Sequence, residues 1–256
     1  LLSLFLAVSA AFWEVSISSD VFTFAAFLIS LTFFLVFKNK PLWAFLALGL
    51  SASHFYISAV LAPVIYWYFW GFKIRIRESI FAASLFILGF FPQVLMYLRM
   101  QKSPEINWGH AEGIGGFLYF VRRVEFGSIF LLSNPALKFT LLKVFKHFYL
   151  YFASLLFSFG VILPVITLIG AVFAKFHENR KLVFITFSFF TIVVVQLVLL
   201  STIDPTGEDN PFQMNKFYLS SFVLFVFLAG AALDRIVKRL FGEESMYALF
   251  LLVAFI

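Results

Sequence analysis

The chain has 256 residues, of which 62% are hydrophobic and only 12% are charged, and its formal net charge is +6. A soluble domain of this size has too little interior to bury so much apolar surface. This composition excludes a soluble globular protein and predicts a single all-α membrane domain over residues 1–256. The absence of cysteine excludes disulfides, thiolate nucleophiles and cysteine-ligated metals.

The basic residues form short clusters between apolar stretches instead of one patch. This pattern is typical of the cytoplasmic flanks of membrane spans and not of nucleic-acid-binding proteins. We therefore expect the lipid bilayer as a partner and no nucleic acid. Because the chain begins and ends inside apolar stretches, we also expect that it is truncated at both ends.

The apolar stretches predict a polytopic helical bundle, since about 20 apolar residues cross a bilayer as a helix. The predicted membrane segments, of which the first and last are truncated, are 1–13, 21–37, 42–52, 55–70, 79–98, 148–174, 182–201, 217–233 and 246–256.

This assignment places four basic clusters on one side of the membrane, which the positive-inside rule makes cytoplasmic. The clusters are Lys38/Lys40, Lys73/Arg75/Arg77, Lys175/Arg180/Lys181 and Arg235/Lys238/Arg239. The first two share a side only if residues 42–70 cross twice, with a turn at residues 49–54. A single helix kinked at Pro63 is the alternative.

Residues 99–147 form the one long polar stretch, which this topology places outside the cytoplasm. Within it, residues 114–126 have the apolar stripe of a short amphipathic helix, and residues 137–148 repeat the pattern with three lysines. Both helices are predicted to lie on the membrane surface. Ordered long loops commonly carry binding or catalysis, so we expect function here.

Common chemical signatures are absent from the sequence. Gly113, Gly115 and Gly116 follow no strand and precede no Lys-Ser/Thr pair, which excludes a dinucleotide site or a P-loop. The four histidines lack the spacing of metal ligands. No cofactor is predicted, although Asp and Glu side chains leave a divalent-metal site open.

Four segments, in chain order, resemble motifs of one known family. Residues 11–14 (AFWE) with 19–22 (SDVF) resemble its TFW…AEVY segment, and residues 49–54 (GLSASH) are similar to its GLGLGNH turn. The third segment runs from NWG at 107 through GFL to VRRVEFG at 121–127, and resembles NWGD…GFL…RRQYG. The fourth, NKFYLSS, resembles ERFYLPS and occupies residues 215–221.

The family is the protein O-mannosyltransferase-like group of multispanning membrane proteins, which are mostly bacterial. The resemblance implies a GT-C fold and a glycosyltransferase that moves a sugar, such as mannose, from a polyprenyl-phosphate carrier to a protein or glycan acceptor. It also implies an active face outside the cytoplasm: the periplasmic or extracellular face of a bacterial inner membrane, or the endoplasmic-reticulum lumen in a eukaryote.

The family's principal acid lies in a GGDSGE stretch before the region that this chain covers. We therefore expect that acid upstream and the chain itself to be inactive. Among the visible residues, Asp20 and Glu14 are the candidate catalytic acids, since an inverting transfer needs a carboxylate to take the acceptor proton. Solvation of a helix end is the alternative role for both.

The candidate substrate-binding residues are those that could hold the phosphate or the sugar. Arg122 and Arg123 carry guanidinium groups that bind phosphate through two nitrogens, and we expect them to converge with Lys216 on one phosphate. Lipid headgroup pairing is the alternative for the arginines. A lysine–aromatic pair at the membrane surface is the alternative for Lys216 with Tyr218. His54 is a candidate hydrogen-bond donor to the phosphate, and helix packing is its alternative role.

Asn107 and Trp108 are candidate sugar contacts, and capping and wedging of a loop helix is their alternative role. Two other functional classes stay open for the whole chain. A transporter or flippase of lipid-linked substrates should show broken helices paired in two symmetric halves, with charges at mid-membrane depth. A non-catalytic membrane scaffold should show no outer cavity around the basic residues.

Overall fold

The computed structural model describes residues 21–102, 113–116, 140–173, 180–200 and 211–241, and these ranges contain helices and no strand. The all-α prediction is therefore confirmed for the described residues, while the predicted segments 1–13 and 246–256 lie outside them. The helices are α1 (Val21–Phe37), α2 (Pro41–His54), a 3₁₀ helix (Tyr56–Val60), α3 (Leu61–Trp70), α4 (Ile76–Leu88), α5 (Phe91–Met100), α6 (Leu141–Phe159), α7 (Ile162–Phe173), α8 (Arg180–Leu200) and α9 (Pro211–Phe241).

Three helical stretches in the described ranges are long and apolar enough to cross a membrane: Ile76–Arg99, Arg180–Val198 and Phe217–Arg239. A fourth span is possible if the bent pair Leu141–Phe159 and Ile162–Ile169 counts as one. Helix α1 and the stretch that ends in α3 are apolar but shorter. These helices indicate an integral membrane protein.

The chain reverses direction between α2 and α3. Helix α2 ends at His54, and Phe55 adopts an extended conformation with φ −135° and ψ 93°. The ring of Phe45, early in α2, stacks on that of Trp70 at the end of α3, with 6.0 Å between ring centroids. About 25 residues of continuous helix would separate these rings by ~37 Å. The predicted reversal is therefore present, and a single kinked helix is not.

The bundle is built around α9 and α1. Helix α9 packs against α1, α7 and α8, and α1 packs against α2, which also packs against α4. Helix α8 in turn contacts α3 and α6. Phe33 of α1 and Phe184 of α8 are fully buried where these helices meet, with 5.1 Å between their ring centroids. Aromatic packing of this kind fills the centre of the bundle.

The end of α1, the start of α8, the end of α3 and the second half of α9 meet at one end of the bundle, which we call the basic end. Phe37, the last residue of α1, lies against Phe184 near the start of α8 and against Phe227 of α9. The Arg180 guanidinium lies 5.4 Å from the ring of Tyr68, near the end of α3. The described members of three basic clusters flank these termini, and those of the fourth follow Phe227 along α9, so the clusters share one end of the bundle.

Helices α2 and α4 touch backbone to backbone. A Cβ atom on Gly49 would lie 2.1 Å from the carbonyl oxygen of Phe86, and one on Gly89 would lie 2.6 Å from the Cα of Gly49. Such a close approach is available only to glycine. Helix α4 ends at Leu88, and α5 begins with Phe91 and Pro92. A turn of two residues, 89–90, therefore interrupts the predicted span 79–98.

The predicted division at residue 148 between a surface helix and a membrane segment was wrong. Helix α6 begins at Leu141, where the Thr140 hydroxyl caps it by accepting from the backbone N–H of Lys143 at 3.3 Å, and it runs unbroken to Phe159. Gly160, with φ +66°, ends the helix in a conformation that favours glycine. The predicted segment 148–174 is therefore bent by 104° at this point.

Two further predictions lie mostly outside the described residues. Of the predicted helix 114–126, the structure describes only residues 114–116, which form a helical turn with Gly113. The rest of that helix lies outside the described residues. Lys175 of the third basic cluster also lies outside the described residues.

Candidate functional site

Phe22, the last residue of the resemblance segment 19–22, lies beside two other resemblance segments at the end of the bundle opposite the basic end. Phe22, at the start of α1, packs edge-on against Phe55, with 5.1 Å between ring centroids, and against Phe217 of α9 at 5.2 Å. Phe55 directly follows residues 49–54, and Phe217 belongs to residues 215–221. We call this region the opposite end.

His54 closes α2 at the opposite end. Its imidazole is half-buried and packs edge-on against the ring of Phe24, with 4.9 Å between centroids. The residue before it, Ser53, accepts a hydrogen bond on its carbonyl oxygen from the side-chain amide of Gln93 in α5. This bond ties the end of the resemblance segment 49–54 to a neighbouring helix.

A second glutamine holds the other resemblance segment in the same way. Gln196 of α8 is fully buried and donates from Nε2 to the carbonyl oxygen of Phe217 at 2.6 Å. The Oε1 atoms of Gln93 and Gln196 are buried without a hydrogen-bond partner among the described residues. Each glutamine therefore fixes the backbone of one segment and retains an acceptor.

A buried polar cluster links α6 to α9 beside this segment. His147 and Tyr218 are both 0% exposed, and 3.4 Å separates the His147 Nδ1 from the Tyr218 hydroxyl oxygen. The ring of Tyr151 packs edge-on against that of Tyr218 at 5.1 Å. Ser221 donates from its hydroxyl to the carbonyl oxygen of Tyr218 at 2.7 Å. The spacing of His147, Tyr151 and Leu155 places them on the inward stripe of α6.

The buried polar cluster positions α6 against α9. A histidine beside a phenol can exchange a proton or orient a hydrogen bond. Since neither side chain is exposed, the pair contacts no solvent-accessible substrate in this structure. Its direct effect is to set the register of α6 on α9 and to fix the helix that carries residues 215–221.

The predicted site residues divide into three groups. His54 and Tyr218 are described, and both lie at the opposite end. Lys216 lies in the first turns of α9, in the same region, but its side chain is outside what the structure describes. The remaining predicted site residues, all outside the described ranges, are Glu14, Asp20, Asn107, Trp108, Arg122 and Arg123. The expected convergence of the two arginines with Lys216 stays a prediction.

Sequence reasoning missed Gln93, Gln196 and His147. The two glutamines do carry a signal, because an amide inside an apolar segment is rare and usually hydrogen-bonded. His147 was considered only as a metal ligand, whereas it packs in the core. Within the described ranges, no group of three or more His, Cys, Asp or Glu residues could hold a metal ion.

No protein-family model matches the chain, and no significant match was found among curated proteins or solved structures.

Proposed function

We propose that this protein is a GT-C-type membrane glycosyltransferase that moves a sugar from a polyprenyl phosphate to an acceptor outside the cytoplasm. The observation that supports the proposal lies at the end remote from the basic clusters, where Phe22 contacts both Phe55, which directly follows residues 49–54, and Phe217 of residues 215–221. These segments are distant in sequence, and their resemblance to one family gives a common reason for their proximity.

The proposed reaction assigns a role to each candidate group. A carboxylate, Asp20 or Glu14 or an acid upstream, takes the acceptor proton while the acceptor oxygen attacks the anomeric carbon. The carbon–oxygen bond to the carrier breaks, and the polyprenyl phosphate departs with the negative charge. Cations stabilise that charge, and we assign this role to Arg122, Arg123 and Lys216.

His54 is assigned a supporting role at the phosphate. Its position at the end of α2, half-buried against Phe24, keeps the imidazole at the opposite end. An imidazole N–H there donates to a phosphate oxygen as it gains charge. Asn107 and Trp108 are assigned to the sugar.

The proposal is tested by transfer of radiolabelled sugar from a polyprenyl-phosphate donor in membranes that contain the full-length protein. We expect Arg122→Ala and Lys216→Ala each to lower donor use by about 10- to 150-fold, since a charge-assisted contact is worth roughly 1.5–3 kcal/mol. Arg122→Lys should restore transfer only in part, because a lysine lacks the bidentate geometry.

Lys38→Ala is the matched control, since Lys38 is exposed at the basic end. Its transfer rate should equal that of the unchanged protein. Undiminished transfer by both Arg122→Ala and Lys216→Ala would reject the assigned phosphate site. Absence of transfer from any polyprenyl-phosphate sugar to any acceptor by the unchanged full-length protein would reject the function.

A further inference from the structure

An apolar groove of about 330 Å³ opens between α2, α3 and α4, on the side of the bundle. Its walls include Phe45 and Phe86 and the small residues Ala62, Pro63 and Ala83. The small side chains leave room between α3 and α4 that the aromatic rings do not fill. Ligand pockets typically have volumes of ~300–1,000 Å³, so this groove has space for a single apolar chain and not for a whole lipid.

The groove has one polar end, formed by Tyr66 and Ser79. The Tyr66 hydroxyl accepts from the backbone N–H of Arg75 at 2.9 Å and lies 3.0 Å from the Ser79 hydroxyl oxygen. It also donates to the carbonyl oxygen of Lys73 at 3.4 Å. These bonds fix the chain between α3 and α4 at the mouth of the groove.

That connection is a basic strap, residues 72–77, in which cations alternate with apolar side chains. Lys73, Arg75 and Arg77 are exposed. The apolar members Phe72, Ile74 and Ile76 are 92%, 84% and 73% exposed. Exposed cations that alternate with exposed apolar side chains are typical of a surface that lies against lipid headgroups.

The nearest described carboxylate leaves the strap positively charged. Glu78 lies 4.0 Å from Arg75, and both side chains are substantially exposed, so the pair is weak. Three cations against one carboxylate give an excess of two positive charges at the groove mouth. This excess positive charge attracts an anionic headgroup more strongly than a headgroup without net charge.

Tryptophans place this mouth at the level of a membrane surface. Trp43 is 63% exposed at the start of α2, and Trp67 and Trp70 lie at the end of α3. Tryptophan is enriched at the headgroup level of membrane proteins. The groove therefore leads from headgroup level, at the strap, toward hydrocarbon depth at Phe86.

We propose that the groove and the basic strap together bind one anionic glycerophospholipid. An acyl chain lies in the groove between α3 and α4, and the phosphate lies against Lys73, Arg75 and Arg77. The charge of the strap selects an anionic lipid over a zwitterionic one. This inference does not depend on the proposed glycosyltransferase activity.

The test is native mass spectrometry of the full chain after reconstitution into phosphatidylcholine nanodiscs with 0 to 20 mol% phosphatidylglycerol. We expect one retained phosphatidylglycerol per protein. Because each basic residue at an anionic surface contributes about fivefold in binding, neutralising the strap with K73Q/R75Q/R77Q should weaken retention at least ~10-fold.

Two further variants separate a specific site from general attraction. Lys38→Gln with Lys40→Gln removes exposed cations at the same end that do not line the groove, and should retain the lipid. Ala83→Phe fills the groove from an exposed wall position and should reduce retention with the strap intact. Circular dichroism and thermal unfolding establish that each variant is folded.

Three results would overturn the proposal. Equal losses from the Lys38/Lys40 pair and the strap would mean diffuse attraction of anionic lipid to the whole basic end. Equal retention of phosphatidylcholine and phosphatidylglycerol would remove the role of charge. Unchanged retention in folded Ala83→Phe would remove the groove.

Discussion

Individual polar side chains at the opposite end do more structural work than their number suggests. Gln93 and Gln196 each bond to a backbone carbonyl on another helix, and Tyr218 faces His147 in the core. A polar group that is buried among apolar helices is costly unless it is hydrogen-bonded. These pairs therefore favour one register of the helices over its alternatives.

The two buried tyrosines allow a matched test of this idea. Tyr218→Phe retains the ring and removes the hydroxyl beside His147, so we expect a loss of about 1 kcal/mol in the free energy of unfolding. The Tyr151 hydroxyl is buried beside the Ser221 side chain but makes no hydrogen bond of normal geometry among the described residues. Tyr151→Phe should therefore change the free energy by less than ~0.5 kcal/mol, or stabilise the protein.

Unfolding in detergent, followed by circular dichroism during titration with a denaturing detergent, measures both changes. An equal loss in the two variants would contradict the contact between Tyr218 and His147.

At the scale of helices, the crossing of α2 and α4 depends on two glycines. Since a methyl group on Gly49 or Gly89 would overlap backbone atoms of the facing helix, neither alanine variant can be accommodated without separating the helices. Gly49→Ala and Gly89→Ala should each lower the free energy of unfolding by about 1–3 kcal/mol, the usual cost of overpacking.

Gly115→Ala is the control, because nothing lies within 4 Å of a Cβ atom there. Its unfolding should match that of the unchanged protein within ~0.5 kcal/mol. A destabilisation that is no larger at Gly49 than at Gly115 would mean that the helices do not touch at this point.

The length of the apolar stretches predicted where helices form, but it did not predict where one helix ends and the next begins. The segment 21–37 matches α1, and 182–201 matches α8 within two residues at each end. The error at α6 arose because three lysines between 138 and 146 indicated a surface helix. The cap at Thr140 and the inward position of His147 join that stretch to the next one, and only tertiary packing reveals this.

At the scale of the whole molecule, the sequence pattern of charges predicted an arrangement that the helices reproduce. The described members of the four basic clusters lie at one end, although nothing in the packing requires it. The candidate site was less predictable, since the glutamine contacts join residues 21 or 40 positions apart. Such pairings depend on helix order, which a list of apolar segments does not contain.

The chain contains no cysteine, so single-cysteine labelling can test this arrangement directly. Asn39→Cys and Phe72→Cys lie at the basic end, and Lys102→Cys follows α5 at the opposite end; all three positions are exposed. In sealed vesicles of one orientation, an impermeant maleimide should label the first two from one side and the third only from the other. Labelling of all three from the same side would reject the arrangement.

The glycine crossing also has a mechanical consequence for the groove. Gly49 and Gly89 make a backbone contact between α2 and α4 next to Phe86, while the groove extends from there to Ser79. That distance is about seven residues, or ~10 Å of helix, so a rotation of 10° about the crossing moves the far end by ~2 Å. A change in the angle at which α2 and α4 cross therefore changes the width of the groove mouth, while the two helices stay in contact at the glycines.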